Sequence, residues 1–556
     1  MVYTLHKYIF RELLRVFILA AVALTLILSL GSILQPVQEY GAGPGQVIFL
    51  MLCFLPITLT FVLPMAALFA GALVYGRFTS DNELDACRAS GISILTLVIP
   101  GLSLAIFVAI ANLFLSFYVM PTFVHLAEKS LKADAKQMLF RNIQKKGFYK
   151  LSYNDNQILI YADNVDALHD ILSGVIVTQL KDLDIKQIYY AENARIKFIS
   201  LDNTNKVQVI PQNTYQMDSF HAAAIGESML SYEFGSLLGD DITFKKIDEM
   251  ERIQANLMLF EPIALKAREF YAELVLELLA RDIQKKLSGP AESGEAPAAE
   301  TSDVKDFYQL NGEPNSVIFT AELCFVKDKK INLSGEIKAI EYNTSNEQTR
   351  RTFKCKEASL SIADKEASLS IADNESEPVL EMDIRSAMVE ESGQLEMRPV
   401  IRGLILPAAV EKTASQFKTP RGSLNPEKMA YQLDELSGFE PGPALKKIQA
   451  ELKRYIEQTK LEIKSEIHSR LVFGIGCVLM ILIGIGLGII IRGGHLLSAF
   501  GVSCIPAVVL IVCIMSGKQL TENLSAQTVS GVTIMWAGLG FLCLFAMGIY
   551  RHLLRN

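Results

Sequence analysis

Few residues of this chain stand at spacings that support catalysis. The 556 residues contain no HExxH, GxSxG or CxxC pattern, so the residue sets of zinc hydrolases, serine hydrolases and dithiol enzymes are missing. The fragment Gly517-Lys518-Gln519 lacks the earlier glycine and the following Ser or Thr of a phosphate-binding loop. Seven histidines show no metal-ligand spacing. We therefore expect no enzyme and no cofactor, with any ATP hydrolysis supplied by another subunit.

One short segment between two apolar runs combines charge with helix signals. A helix is predicted at about 77–92, where Thr79 or Ser80 can cap its start and Gly91 can end it. Several carboxylates, among them Glu83, fall near its positive N-terminal end. Such a helix could present a carboxylate to a partner protein, although any short loop between two spans also needs caps and charge.

Six charge-free apolar runs surround a charge-rich middle. The runs are 16–38, 40–76, 89–127, 471–491, 493–517 and 523–550. A helix needs about 20 apolar residues to cross a bilayer, so each run is one predicted span. Charged side chains are concentrated in 128–469 instead. This pattern excludes a cytosolic enzyme, a secreted protein and a receptor with a single anchor.

Basic residues near the ends of these runs predict the orientation. Lys7, Arg77, Arg492 and Arg551 mark four segments that fall on one side if there are six spans. Because positively charged loops stay in the cytoplasm, both termini are expected there and 128–469 outside. The N-terminal stretch is interpreted as an uncleaved anchor, since its apolar part is too long for a removed leader.

The external region alternates between strand and helix patterns. Short alternating segments between Asn and Asp turns are typical of an all-β sandwich or jelly roll. Strands are predicted at 157–161, 174–179, 188–190, 195–199 and 206–210. Helices are predicted at 258–286, 425–437 and 444–469, the last continuing into the fourth span. A flexible linker at 288–304 separates the helical part from a second β-rich stretch, which contains the nonapeptide KEASLSIAD twice, at 356–364 and 365–373.

Cysteines of the external region leave one question open. Cys324 and Cys355 are the two external cysteines. They are either a disulfide or two buried thiols, because spacing alone does not decide between these states.

The segment after the second run closely resembles a family motif. Residues 83–93 read ELDACRASGIS, similar to the E-x-x-A-x-R-A-x-G-I-S segment of lipopolysaccharide export permeases, the LptF/LptG (YjgP/YjgQ) family. Glu466-Ile467-His468-Ser469-Arg470 looks like that family's E-x-H-x-R. Further matching positions are Tyr161, Gly174-Val175, Ala191 and Trp536. The resemblance covers about 1–220 and 425–556.

This resemblance implies a fold and a function. The fold would be an α-helical membrane protein of six transmembrane helices, arranged 3 + 3 around a large periplasmic β-jelly-roll domain that carries a helical and β insert. The protein would be a permease subunit that pairs with a paralogous permease and a cytoplasmic ABC ATPase dimer. It would extract lipopolysaccharide or a related glycolipid from the inner membrane and pass it to a periplasmic bridge. No nucleic acid is expected as a partner.

The same resemblance implies segment boundaries and residue roles. Glu83 would face the ATPase, with Ala86, Arg88 and Gly91 shaping the coupling helix. The expected segments are 1–127 for spans 1 to 3, 128–244 for the first part of the jelly roll, 245–304 for a helical insert and linker, 305–424 for a second β-rich part, 425–469 for helices leading to the membrane, and 470–556 for spans 4 to 6.

Two departures from the family pattern stand out. Family members often carry a basic residue near the external end of the first span, and 28–38 has none. Lys129, Lys132 and Lys136, which share one helical face, could contact a substrate phosphate instead, or could form a solvated face. Residues 245–420 exceed what the family's β domain needs, and are either a lineage-specific elaboration or a jelly roll split by a helical insert.

Two other functions remain open from the sequence. An envelope scaffold or sensor would display a β domain without an ATPase partner, although a sensor would also carry a cytoplasmic output domain. A lipoprotein-release or antimicrobial-efflux permease would have its external domain after the first of usually four spans, whereas three spans are predicted here before it.

Overall fold

The structure is a computed structural model, and the chain divides into two compact units. It describes residues 2–40, 44–133, 135–153, 156–166, 169–181, 184–200, 205–217, 222–225, 230–234, 241–288, 307–327, 329–344, 349–362, 378–385, 387–389, 395–396, 399–420, 422–436, 439–490, 496–523 and 528–555. Unit 1 comprises Met1–Gln254 and Gln458–Asn556, and unit 2 comprises Ala255–Glu457.

Helices account for most of the described residues of unit 1. In chain order, the α-helices of both units are α1 (Val2–Tyr40), α2 (Pro44–Ser80), α3 (Glu83–Ala89), α4 (Ile94–Phe114), α5 (Met120–Ala133), α6 (Ala135–Lys146), α7 (Ile247–Ala255), α8 (Glu261–Ser288), α9 (Ala408–Ala414), α10 (Pro426–Tyr431), α11 (Pro443–Ile490), α12 (Leu496–Glu522) and α13 (Thr528–Arg555). A π-helical turn, Leu115–Val119, joins α4 to α5.

Six helical stretches of the described chain are long and apolar enough to cross a membrane. They are Tyr3–Ser29, Val47–Ser80, Ile94–Ser130, Pro443–Ile490, Ile505–Glu522 and Gly531–Arg555. Each coincides with one of the charge-free runs, so the prediction of six apolar spans is confirmed. The loop with Arg492, which contributed to the predicted orientation, lies outside the described residues.

The six long helices that contain these stretches are α1, α2, α4, α11, α12 and α13. They share one hydrophobic core. Within it, α2 and α11 approach each other at small residues. A Cβ atom added to Gly484 would lie 2.5 Å from the carbonyl oxygen of Leu68, and one added to Gly488 would lie 2.6 Å from that of Ala72. Glycine therefore permits the close backbone approach by which membrane helices pack.

A seven-stranded antiparallel sheet follows α6 in unit 1. Its strands are β1 (Phe148–Tyr153), β2 (Asn156–Asp166), β3 (Ile171–Lys181), β4 (Asp184–Ser200), β5 (Asn205–Met217), β6 (Ala222–Ile225) and β7 (Leu230–Phe234). The order is β1-β2-β3-β4-β5-β6, and β7 pairs with β5. One face packs on α6 through Leu139, Phe140 and Ile143. The predicted strands are confirmed, except that 188–190 and 195–199 belong to one long strand, β4.

Unit 2 has its own sheet and its own buried side chains. The strands are β8 (Tyr308–Leu310), β9 (Asn315–Phe319), β10 (Leu323–Lys327), β11 (Lys330–Asn343), β12 (Thr349–Ile362), β13 (Leu380–Arg385), β14 (Ala387–Val389), β15 (Leu395–Glu396) and β16 (Val400–Leu404). They form one nine-stranded sheet. The second β-rich segment therefore does not continue the first sheet, because its described strands pair with one another.

Helix α8 supplies the centre of unit 2. Its residues Phe270, Leu274 and Leu279 are fully buried, and α8 contacts β10 and β11. The helices predicted at 258–286 and 444–469 are confirmed as α8 and the first half of α11, whereas the helix predicted at 425–437 is the short α10 followed by a 3-10 turn. The linker beyond residue 288 and the second copy of the nonapeptide lie outside the described residues.

Candidate functional site

The segment predicted as a coupling helix consists of the end of α2, a two-residue turn and α3. Asn82 adopts a left-handed backbone (φ 58°, ψ 11°), and no side chain caps α3. The predicted cap at Thr79 or Ser80 is wrong because α2 continues through both residues. Thr79 Oγ1 instead donates to the carbonyl of Tyr75 at 2.8 Å, within α2. The helix at about 77–92 is thus reduced to the seven residues of α3.

Helix α3 has one buried and one exposed face. Leu84 is 5% exposed and belongs to the core of the six long helices. Glu83 and Ala86 are exposed. Arg88 is half-buried, and its guanidinium lies 3.9 Å from the carboxylate of Asp85. A single apolar side chain thus anchors a short helix that presents a carboxylate to solvent.

The C-terminal end of α3 is fixed by backbone geometry. Gly91 has φ +83°, and its N–H donates to the carbonyl of Arg88 at 2.9 Å. Residues with a Cβ atom rarely adopt this conformation. Ser93 then caps α4 by accepting a hydrogen bond from the N–H of Thr96 at 3.3 Å. The expected end of the helix near Gly91 is therefore confirmed.

Contacts around α3 reach three of the long helices. A small, mainly apolar cavity is lined by Tyr8 of α1, Phe78 of α2 and Glu83 of α3, among others. The rings of Tyr8 and Phe78 stack with centroids 5.7 Å apart. The hydroxyl of Tyr75 donates to the carbonyl of Leu97 in α4 at 2.7 Å. The surroundings of α3 thus include side chains of α1, α2 and α4.

Apart from the surroundings of α3, a polar cluster surrounds Arg470 of α11. Its Nε donates to Glu466 Oε1 at 2.8 Å, and its two terminal nitrogens donate to the carbonyls of Ser116, Thr243 and Lys245 at 2.8–3.4 Å. A guanidinium has five N–H donors, and these five contacts engage all of them. The side chain is 4% exposed. Arg470 therefore ties α11 to the π-helical turn and to the segment that precedes α7.

The π-helical turn explains why Arg470 is needed at Ser116. The N–H of Met120 donates to the carbonyl of Leu115. In the same i→i+5 pattern, the donor for the Ser116 carbonyl would be residue 121, which is a proline and has no N–H. Arg470 donates to that carbonyl at 3.0 Å instead. Membrane helices tolerate proline where neighbouring side chains satisfy the freed backbone group in this way.

Lys518 of α12 completes the cluster, and its role was missed from the sequence. Its Nζ donates to Glu466 Oε2 at 2.8 Å and to Thr243 Oγ1 at 3.1 Å, and it lies 4.0 Å from Glu522. In the sequence, Lys518 stands out only in the Gly517-Lys518-Gln519 fragment, which is not a phosphate-binding loop. A usable signal was that Lys518 and Glu522, four residues apart, are the only charged residues in 493–550.

The remaining member of the E-x-H-x-R pattern, His468, also contacts another helix. His468 Nδ1 accepts a hydrogen bond from Trp536 Nε1 at 3.4 Å. The two rings form an edge-to-face contact with centroids 6.4 Å apart. The tertiary structure therefore brings Trp536, which is distant in sequence, to the same turn of α11 as Glu466 and Arg470.

Residues singled out in the β region meet where β2, β3 and β4 pair. Val175 pairs with Ala191 across β3 and β4. Gly174 has φ +62°, and a Cβ atom there would collide with the side chain of Asp163. Tyr161 holds that side chain, since its hydroxyl donates to Asp163 Oδ1 at 2.9 Å. Glycine is thus required at this position both by its backbone conformation and by the close approach of β2.

Comparison with known proteins gives the family. Residues 7–279 and 301–552 match the family described as lipopolysaccharide export system permease LptF/LptG. The chain belongs to this family. It is also 23% identical over 192 residues to a Rickettsia prowazekii (strain Madrid E) protein described as "Uncharacterized protein RP871". That match covers 34% of this chain and 51% of the relative, so the chain spans about half the length of the relative that it matches.

Membership in the LptF/LptG family and the six apolar helices indicate a multi-pass membrane protein. LptF/LptG permeases are transporter components that are generally non-catalytic. Within the residues that the structure describes, no group of three or more His, Cys, Asp or Glu side chains could hold a metal ion.

The three lysines expected at a substrate phosphate differ in their surroundings. Lys136 Nζ donates to Asp170 Oδ2 at 2.6 Å, so a carboxylate already neutralises that ammonium group. Lys129 is exposed on α5. The side chain of Lys132 lies outside the described residues. A phosphate contact stays a prediction, and Lys129 is better placed for it than Lys136.

Cys324 and Cys355, the two cysteines predicted to be external, are free thiols. Cys324 lies on β10 and Cys355 on β12, and β11 lies between these strands. Strands are about 4.8 Å apart, so the two positions are too distant for a disulfide, whose Cα atoms are usually within about 6.8 Å. The candidate disulfide is therefore not formed. Burial raises the pKa of Cys324 to about 12 and that of Cys355 to about 11, which makes both thiols unreactive.

Proposed function

We propose that this chain is the permease subunit of an ABC transporter for lipopolysaccharide or a related glycolipid. The transporter would extract this lipid from the inner membrane and pass it to a periplasmic bridge toward the outer membrane. A separate cytoplasmic ATPase dimer would supply the energy. A paralogous permease would complete the membrane part as a heterodimer.

One observation carries the proposed coupling to an ATPase. Helix α3 presents Glu83 to solvent while Leu84 inserts into the core that all six long helices share. A carboxylate on such a helix can pair with a basic residue of a partner. The apolar anchor would then transmit a movement of the partner to α1, α2 and α4. Ala86, Arg88 and Gly91 would shape the helix that makes this contact.

The proposed topology follows from charge. If the six apolar helices all cross the membrane, three before and three after the first sheet in chain order, Arg77 and Arg551 would lie on the side of the N-terminus. Positive loops favour the cytoplasm. Both termini and α3 would therefore be cytoplasmic, and the two sheets periplasmic. We propose that the first sheet is the family's jelly roll, while unit 2 is an elaboration of the periplasmic part.

Replacement of Glu83 by Lys tests the coupling. The full chain would be expressed with its paralogue and ATPase, and the amount of ATPase that co-purifies would be measured together with lipopolysaccharide transfer. Loss of a desolvated charge pair costs about 2 kcal/mol or more, which corresponds to an affinity about 30-fold weaker. We expect ATPase binding and transfer to fall together.

Asp81→Lys is the matched control. It makes the same change of charge two residues earlier, in the turn outside α3, and should reduce ATPase binding much less. An equal loss from both variants would indicate general electrostatic attraction and not a contact of α3. Undiminished co-purification and transfer with Glu83→Lys would refute the coupling role.

The alternative is an envelope scaffold or sensor that displays a periplasmic β domain without transport. It predicts that the unaltered chain co-purifies with no ATPase and that changes throughout α3 are tolerated. The same co-purification therefore distinguishes the two functions before any variant is made.

A further inference from the structure

Helices α12 and α13 form a tightly packed hairpin near the Glu522 end of α12. A Cβ atom on Gly517 would lie 2.7 Å from the carbonyl oxygen of Gly531, and one on Gly531 would lie 2.5 Å from that of Gly517. Two glycines thus allow the backbones to touch. Interiors packed this closely resist continuous deformation, so the two helices at this end should move as one body.

Among the described residues, at least three polar contacts join this end of the hairpin to α11. The first is the ion pair of Lys518 with Glu466. The second is the hydrogen bond from Ser465 Oγ to Glu522 Oε1, at 2.9 Å. The third joins α13 to α11, where Trp536 donates to His468. All three involve side chains within two turns of α11.

The two cations that share Glu466 differ in how firmly they are held. Arg470 is 4% exposed and has all five donors engaged by three separate parts of the chain. Lys518 is 25% exposed. Arg470 is therefore the fixed side of the cluster, and Lys518 is the side that can move.

Separation of Lys518 from Glu466 would leave neither charge alone. Glu466 keeps its contact with Arg470. Lys518 has a second carboxylate one turn later on its own helix, because Glu522 lies 4.0 Å away. Removing one partner from a buried pair is costly when it leaves an uncompensated charge. Here Lys518 can pair with Glu522 when it leaves Glu466, so no charge becomes uncompensated. The ion pair of Lys518 with Glu466 can therefore open at low energetic cost.

We propose that Lys518 and Glu466 are positioning residues for substrate transfer, and that their ion pair is the releasable fastening of the α12–α13 hairpin. The pair would be closed in the resting permease and would open when the glycolipid passes. This inference rests on the proposed transport function. It adds that the contact of Lys518 with Glu466 must break during transport, whereas the contact of Arg470 with Glu466 must stay.

A reversible crosslink across the fastening provides the test. His468→Cys and Trp536→Cys, combined in the full chain, would be bridged with a short bis-methanethiosulfonate reagent. The complex with its paralogue and ATPase would be reconstituted in liposomes, and lipopolysaccharide transfer measured before bridging, after bridging and after reduction. Each single-cysteine variant and the parent chain, treated with the same reagent, control for modification of the other cysteines.

We expect transfer to fall at least tenfold in the bridged protein and to return on reduction. Equal transfer before and after complete bridging would overturn the inference. If the unaltered complex transferred no lipopolysaccharide at all, the proposed function itself would fail, so the two failures can be told apart.

Variants at Lys518 give a second measurement that a purely structural role would not move. Lys518→Met should leave assembly and ATP hydrolysis in place but reduce the lipid transferred per ATP hydrolysed at least fivefold. Lys518→Arg keeps the charge and should restore that ratio. An unchanged ratio in Lys518→Met, or equal impairment of both variants when both assemble normally, would contradict the inference.

Discussion

Two single side chains, Glu83 at the start of α3 and Arg470 within α11, show how differently polar groups are used in this chain. Glu83 and Arg470 both stand at positions that resemble family motifs, yet their surroundings are opposite. Glu83 is exposed on α3, as a contact with another protein requires. Arg470 is buried, and its terminal nitrogens donate to backbone carbonyls of its own chain. The exposure of Glu83 suits the partner contact proposed above, whereas Arg470 holds helices together.

A buried carboxylate in unit 2 yields a prediction of stability against pH. Glu273 of α8 is buried, and burial and the neighbouring charge of Glu277 raise its pKa above the ordinary value. Its charged form therefore destabilises the folded state at neutral pH. Glu273→Gln should increase the protection of α8 amides from hydrogen exchange at pH 7, measured by mass spectrometry on the full chain.

The difference should shrink as the pH falls from the raised pKa of Glu273 to the ordinary pKa of Glu, and should vanish below it, because the carboxyl group is then neutral in both folded and unfolded states. Glu322→Gln, at an exposed position of unit 2, is the matched control and should change little at either pH. Decreased protection in Glu273→Gln at pH 7 would show that the negative charge is needed for folding.

At the scale of elements, the apolar stretches were predictable and several boundaries were not. Twenty or more apolar residues without charge have few alternatives to a membrane helix, and the six spans followed from that. The start of α3 depended on whether α2 stops before Thr79, which local capping signals suggested. Packing of Phe78 on Tyr8 and of Tyr75 on α4 accompanies the continuation of α2, and these partners are distant in sequence.

The contact between α2 and α11 predicts an asymmetry among helix glycines. Gly484→Ala would place a methyl group against the carbonyl of Leu68, and such overpacking costs about 1–3 kcal/mol. Gly548→Ala in α13 meets nothing within 4 Å and should be neutral or stabilising by up to about 1 kcal/mol. Thermal unfolding of the purified chain in detergent would measure both, and equal midpoints would contradict the close approach of α2 and α11.

At the scale of the whole molecule, the chain combines two compact units with separate cores. The excess of residues between the two halves of the membrane part is accounted for by unit 2, whose sheet is built from its own strands around α8. A core substitution in unit 2 should therefore lower the stability of that unit and leave the stability of unit 1 largely unchanged.

Phe270→Ala tests this independence. Phe270 is fully buried on α8 and packs edge-to-face on Phe417. Its truncation should cost about 3–5 kcal/mol. Hydrogen exchange of protected amides in α8 and β11 should accelerate by about 100-fold or more, while exchange in β2–β4 of unit 1 stays unchanged. Equal acceleration in both sheets would show that the units unfold as one.

The sequence by itself determined the six apolar spans, the charge-rich region between them and the short segment that presents Glu83, because these features depend on composition and on neighbours within a few residues. It also placed most strands of the first sheet. Only the tertiary structure decided the cluster around Glu466. Its members come from four distant parts of the chain, and three of its acceptors are backbone carbonyls, which every residue type carries. The free state of Cys324 and Cys355 was decided in the same way, by the strand that lies between them.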